Sequence, residues 1–118
     1  MPQDEQVVLV ISNAPDLLLA KRIAHELVEQ GLAACVNLAA PMLSIYGWNG
    51  KIEADTEVPL WIKTTTARQQ AVLDLLASLH PYEVPEAIVL PVSAGLPAYL
   101  QWVVAQTQAP LPAEEPEP

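Results

Sequence analysis

Val7 to Ile11 is an unbroken apolar, β-branched run of the kind a buried strand requires. It stops at Ser12-Asn13-Ala14, where Pro15 and Asp16 open a helix, with proline at the first position and an acid in the first turn. Ala20, Ile23, Ala24, Leu27 and Val28 then recur at helical spacing, and Gly31 supplies the stop. A second apolar stretch, Leu32 to Trp48, meets a third, Lys51 to Thr64, across Asn49-Gly50, the strongest short-range signal for a hairpin. Thr66-Ala67-Arg68-Gln69 has the form of a capping box, and Val72, Leu75, Leu76 and Leu79 give the apolar stripe of a second helix. That helix should end near His80, because Pro81 disfavours helical geometry in the residue before it. Ala87 to Val92 reads as a fourth strand, and Leu96, Tyr99, Leu100 and Val103 as a short third helix after Gly95. Residues 1–107 form one domain, and 108–118, rich in Pro, Ala and Glu, read as a disordered and dispensable tail.

The order β-α-β-β-α-β-α predicts an α+β fold. Two right-handed split crossovers give a ferredoxin-like antiparallel sheet, strand order 4-1-3-2, with the first two helices on one face. Strands two and four are then edges, where Pro41 and Pro91 can do without an N–H. Pro59 falls in interior strand three and nearly faces Pro41 across the hairpin, which predicts a bulge or kink there.

The hairpin also predicts assembly. A strand from Leu32 to Tyr46 runs roughly 50 Å at about 3.3 Å per residue, whereas a domain of about 100 residues is roughly 34 Å across. Its distal arm carries Met42, Leu43, Ile45, Tyr46, Trp48 and Ile52. Left bare, such an arm invites aggregation, so it should pair with another subunit.

Composition narrows the partners. With 118 residues, 52% of them apolar, the chain can bury one core. Apolar runs are interrupted well before membrane-spanning length, and Met1-Pro2-Gln3-Asp4-Glu5 lacks the pattern of a secretory signal. The single cysteine, Cys35, can form no internal disulfide, which points to a reducing cytoplasm. The net charge is -9 with only five cations, Lys21, Arg22, Lys51, Lys63 and Arg68. That excludes the clustered basic surface that phosphate backbones demand and leaves a cationic partner or ion open.

Several ordered motifs together resemble the CutA family of divalent-cation tolerance proteins. They are Ala14-Pro15-Asp16, Leu32-Ala33-Ala34-Cys35-Val36-Asn37, Tyr46-Gly47-Trp48-Asn49-Gly50-Lys51, Glu57, Ile62-Lys63-Thr64, His80-Pro81-Tyr82-Glu83-Val84-Pro85-Glu86 and Tyr99-Leu100-Gln101-Trp102, spread from about Val7 to Val104. The resemblance implies a cytoplasmic homotrimer with interlocked hairpins, associated with tolerance to copper and other divalent ions, some members binding copper. Copper-binding relatives are similar in having a Cys at the Ser12 position and a second His at the Leu79 position. This sequence departs at both.

His80 has two readings: an imidazole ligand for copper, nickel or zinc, or a cap on the helix end bonding a backbone carbonyl. Cys35 resembles the family's strand-two cysteine, a soft ligand for Cu(I). It also reads as a small buried hydrophobe, at the sheet end opposite His80. Glu57, Lys63 and Tyr82 sit on otherwise apolar elements, either as a Glu57–Lys63 or inter-subunit ion pair or as a polar pocket between subunits. Tyr46 and Trp48 read as interface anchors, Trp102 as core, and His25 as solvated.

No nucleophile-base or carboxylate-pair arrangement is apparent. The turn at Ser12-Asn13-Ala14-Pro15-Asp16 lacks the Gly and Arg of an anion cradle, so the chain reads as a non-enzyme. The alternative to a metal-responsive trimer is a trimeric signalling module resembling PII proteins, binding small effectors in clefts between subunits.

Overall fold

The computed structural model describes residues 6–108. Expectations for Met1 to Glu5, and for all of the tail but Gln108, lie outside the described residues. The elements are β1 (Val7–Ala14), α1 (Leu17–Glu29), β2 (Cys35–Leu38), β3 (Met42–Trp48), β4 (Lys51–Thr65), α2 (Gln69–Leu79), β5 (Ala87–Pro91) and α3 (Pro97–Gln106). The sheet runs β2-β4-β1-β5, with β3 also on β4, and every pairing is antiparallel.

Local chemistry accounts for the ends of α1. Asp16 stands just ahead of the helix as its N-cap, where the extended backbone lets Oδ1 accept from the Leu19 N–H at 2.8 Å. The acid thus caps the helix, where the sequence pattern had put it inside the first turn. At the other end Gly31, at φ 69°, lets its own N–H reach Val28 O and the Leu32 N–H reach Leu27 O. This pair of bonds is a Schellman motif. It holds Leu32 to Ala34 in a turn, so β2 begins at Cys35 and not at Leu32. The helix α2 is entered through Arg68, whose Nε and Nη2 donate to the carbonyls of Thr107 and Gln108 and tie the end of α3 to this turn.

The long second strand is split. Leu38 pairs with Leu60 and Met42 with Glu57, so Ala39, Ala40 and Pro41 face only Val58 and Pro59. One extra residue is accommodated, which is a bulge. Pro59 O accepts from the Ala39 N–H at 3.1 Å. An N–H at Pro59 would point to the same side, into the bulge, so the interior proline costs little there. Beyond it the hairpin closes through Asn49 (φ 52°) and Gly50 (φ 76°), the two left-handed positions a tight hairpin turn requires.

Alternation divides the sheet into two faces. Val10 and Ala14 of β1 with Val58, Leu60 and Ile62 of β4 meet Ala20, Ile23 and Leu27 of α1 and Val72 and Leu76 of α2 in the main core. On the opposite face, α3 covers only one end, through Val7, Val103 and Val104. The middle of that face is a bare apolar patch. Trp61 and Ile88 flank Ile11 across the strands, with Leu90 beside Leu9, and Trp61, Ile88 and Leu90 are exposed. Trp102 is 43% exposed and is therefore not core, because α3 turns only its other side to the sheet.

The molecule is elongated, 51 × 41 × 23 Å, with a radius of gyration of 15.6 Å against about 13 Å for a compact domain of about 100 residues. The hairpin arm explains the excess. Leu43, Ile45 and Ile52 share one face of it and are 65%, 69% and 84% exposed.

Candidate functional site

Polar side chains gather at the end of β1, beside the loop that joins α2 to β5. Ser12 Oγ, fully buried, donates to Glu86 O at 2.7 Å. Asn13 Nδ2 donates to Glu86 Oε1 at 2.8 Å. His80 Nδ1 accepts the Tyr82 N–H at 3.2 Å, which leaves the ring proton on Nε2 to be donated to Asn13 O at 2.6 Å. The His80 ring also lies 4.5 Å from that of Tyr82. Both nitrogens of His80 are thus engaged by backbone, and the ring clamps the end of α2 to β1.

Next to the clamp, and sharing Asn13 and Tyr82 with it, is a cleft of about 390 Å³ between the hairpin and the 82–86 loop, lined by Asn13, Ser44, Tyr46, Glu57, Tyr82 and Glu86 together with Ile45 and Val84. Glu57 is only 8% exposed and Asn13 5%. The Asn13 amide is oriented by its bond to Glu86, since only the NH₂ can face a carboxylate. Its carbonyl oxygen Oδ1 is buried and has no partner. Burial and then the adjacent Glu57 carboxylate push the Tyr82 phenol above its ordinary value. On the arm, Tyr46 donates to Asp55 Oδ2, and that bond holds its proton up to about 12. A second hollow of about 230 Å³ lies between Tyr46, Trp48, Tyr82, Glu83 and Val84.

The sequence-nominated residues separate into two groups. Glu57, Tyr82 and Tyr46 meet in the cleft, with Trp48 at its margin. Lys63 lies six residues along β4, where its Nζ donates to Asn37 Oδ1. Within one chain Lys63 and Glu57 therefore form no ion pair, and the one ion pair found among the described residues is Arg22–Glu26. Cys35, half-buried and unoxidised, contacts Asn37 and stands opposite Lys63, while Asn13, which His80 bonds, stands opposite Pro59. Four residues along the strand separate them by roughly 13 Å. One metal ion at bond lengths of about 2.0–2.3 Å cannot take both.

A soft-metal centre does not fit this part of a single chain. His80 has no free nitrogen, Ser12 has spent its hydroxyl proton, and Leu79 packs against the main core. Among the described residues no three His, Cys, Asp or Glu side chains are grouped to hold a metal. Sequence reading passed over Asn13 and Glu86 as site residues. Their signal was two polar residues, Ser12-Asn13, ending an apolar strand that had no solvent-facing reason to carry them.

A family match spans all the elements of the fold but the first residue of β1. Residues 8–106 fit the family described as CutA1 divalent ion tolerance protein. The chain belongs to the CutA family. Mouse Protein CutA is 50% identical over 97 residues, which cover 82% of this chain and 55% of that protein. The chain therefore spans little more than half of that relative. The Divalent-cation tolerance protein CutA of Pectobacterium atrosepticum is 47% identical over 98 residues, 83% of this chain and 89% of its own. Among solved structures, CutA from Xylella fastidiosa superposes with a TM-score of 0.85 at 44% identity, covering 87% of this chain and 99% of that one. A CutA from Archaeoglobus fulgidus, described as a periplasmic divalent cation tolerance protein, gives 0.84 at 36% identity over 86% and 99%. The CutA names describe tolerance of divalent ions and not a catalysed reaction. No helix among the described residues is long and apolar enough to cross a membrane.

Proposed function

We propose that this CutA protein acts in the cytoplasm as a homotrimer of ferredoxin-like subunits. It contributes to divalent-cation tolerance by binding cations, without catalysis. The observation that carries the cation reading is the cleft at the end of β1. It is lined by buried Glu57, by exposed Glu86 and by Asn13, whose amide oxygen is unpartnered, with no Lys or Arg among its lining residues. Glu86 accepts from Asn13 and Glu57 is bonded to Tyr82, but neither carboxylate meets a cationic side chain in the cleft. Negative charge left unneutralised in a partly buried setting favours a positive guest.

Two features support assembly. The arm face of Leu43, Ile45 and Ile52 and the sheet patch around Trp61 and Ile88 both leave apolar area in water. At about 25 cal/mol per Å² their burial is a substantial driving force. Tyr46 and Trp48, each partly exposed, would anchor the contact. Lys63 would join the polar cleft with Glu57 and Tyr82 only across subunits, since it stands far from them within one chain. Sedimentation velocity on the full chain at micromolar concentration tests the assembly: a trimer is expected, and a stable folded monomer overturns the reading.

A small-effector module of the PII kind is the second reading, favoured by a cleft roomier than a bare ion needs. Its carboxylates select a cationic effector against a nucleotide. Thermal-shift panels of divalent ions, organic amines and nucleotides separate these ideas through the ligand that raises the melting temperature. Copper is tested by titrating wild type against His80→Ala. Equal affinity removes His80 as a ligand, and Cys35→Ser does the same for the thiol.

A further inference from the structure

We infer that Asn13, Glu57 and Glu86 form an oxygen-donor site for a hydrated hard divalent cation of the magnesium and manganese class. The inference deepens the cation-binding reading above and rests on it.

The decisive atom is Asn13 Oδ1. Buried amide oxygens are nearly always hydrogen-bonded, and leaving one unmet costs free energy. This one has no partner, although its own NH₂ is satisfied by Glu86. That bond also fixes which way the amide faces, so the lone pairs are left over by construction. Asn13 shares the cleft with Glu57, itself nine-tenths buried, and with Glu86. Alternation puts Asn13 and Glu57 on the same face of the sheet, on adjacent strands.

The donor set selects the ion. Lining side chains offer carboxylate, amide, hydroxyl and phenol oxygens, and neither sulfur nor imidazole. Carboxylate and carbonyl oxygens suit magnesium, calcium and manganese, while thiolate and imidazole suit copper and zinc. Magnesium holds its water tenaciously and is commonly bound through one or two carboxylates, keeping several waters. Two carboxylates, one amide oxygen and a cleft of about 390 Å³ match that habit. Liquid water occupies about 30 Å³ per molecule, so room remains for a partial hydration shell.

Mn(II) is the probe, added to the full-length protein in its native assembly. Binding is read by loss of the free-ion paramagnetic resonance signal, and retained water by enhanced proton relaxation. Wild type should bind Mn(II), enhance relaxation and release the ion to Mg(II). Glu86→Gln removes one of the two carboxylate donors and should weaken binding at least tenfold, since losing even a group that only orients a ligand costs roughly 10–100-fold. Asn13→Asp should tighten it, and its melting temperature should rise on adding Mn(II), because the new carboxylate faces Glu86. This opposite sign separates a ligand role from damage to the fold. Glu29→Gln, at the far end of α1, should change nothing. Absence of Mn(II) binding, or affinity equal in wild type, Glu86→Gln and Asn13→Asp, overturns the inference. If Cu(II) or Zn(II) still binds in that case, this site alone fails. If no divalent ion binds, the cation-binding reading fails with it.

Discussion

At the scale of single residues, the polar groups here do structural work through specific acceptors. His80 spends both ring nitrogens on backbone, donating to Asn13 O and accepting from the Tyr82 N–H. His80→Ala would leave a buried carbonyl without its donor. The expected loss is about 1–3 kcal/mol of stability, read from the midpoint of urea unfolding; an unchanged midpoint would refute the clamp. Tyr46 offers a pH signature. Its proton is held by Asp55, raising its titration from 10.0 to about 12. In Asp55→Asn the bond to a charged acceptor is gone, so the phenol should titrate back toward 10, followed by ultraviolet difference absorbance. A curve still centred near 12 would show that Asp55 is not the cause. Asn13 and Glu86 were hard to find from sequence because a residue's partners lie 73 positions away, and no local pattern encodes which polar group will be left unpaired.

Elements were far more legible, since they are set by neighbours in the chain. Helical spacing located α1 and α2, and Asn49-Gly50 marked the hairpin turn. Pro59, nearly facing Pro41, signalled the interruption that became the bulge at residues 39–41, because neither proline can donate to the ladder. Boundaries moved where a cap decided them. Asp16 took the N-cap position, and the Gly31 motif delayed β2 to Cys35. Asp16→Ala should cost about 1 kcal/mol of unfolding free energy. Asp16→Asn should restore most of it, since an amide oxygen can accept the same Leu19 N–H. Equal losses in the two variants would mean the charge matters and the cap bond does not.

At the scale of the whole molecule, shape and exposed apolar area belong together. A 51 Å long axis in a chain of this size reflects a hairpin that leaves its own domain. Ile45→Asp with Ile52→Asp places two charges on the bare arm face, away from the core of Ile23, Leu27, Ile62 and Leu76. The doubly substituted protein should sediment as monomer while its far-ultraviolet circular dichroism stays that of the wild type. A trimer that persists would show that the arm is not part of the contact, and the sheet patch around Trp61 would be the next surface to alter. The Trp102 position illustrates the limit of reading helices singly. Its spacing suits a core, but α3 has only the Val7 end of a sheet to lie on, so that side of the helix remains open.

The order of elements, the hairpin, the kink in it and the excess of acids are properties of short stretches or of simple sums. The amino-acid sequence by itself therefore determined them, and with them the family. Tertiary structure alone decided that His80 is a clamp and that Lys63 stands away from Glu57. It also decided that Asn13 keeps one buried oxygen free beside two carboxylates. These are facts of three-dimensional neighbourhood, arising where the end of β1 meets a loop some seventy residues later. At that junction Asn13 Oδ1 is the buried side-chain oxygen left without a hydrogen-bond partner, and it lies beside carboxylates that line the same cleft.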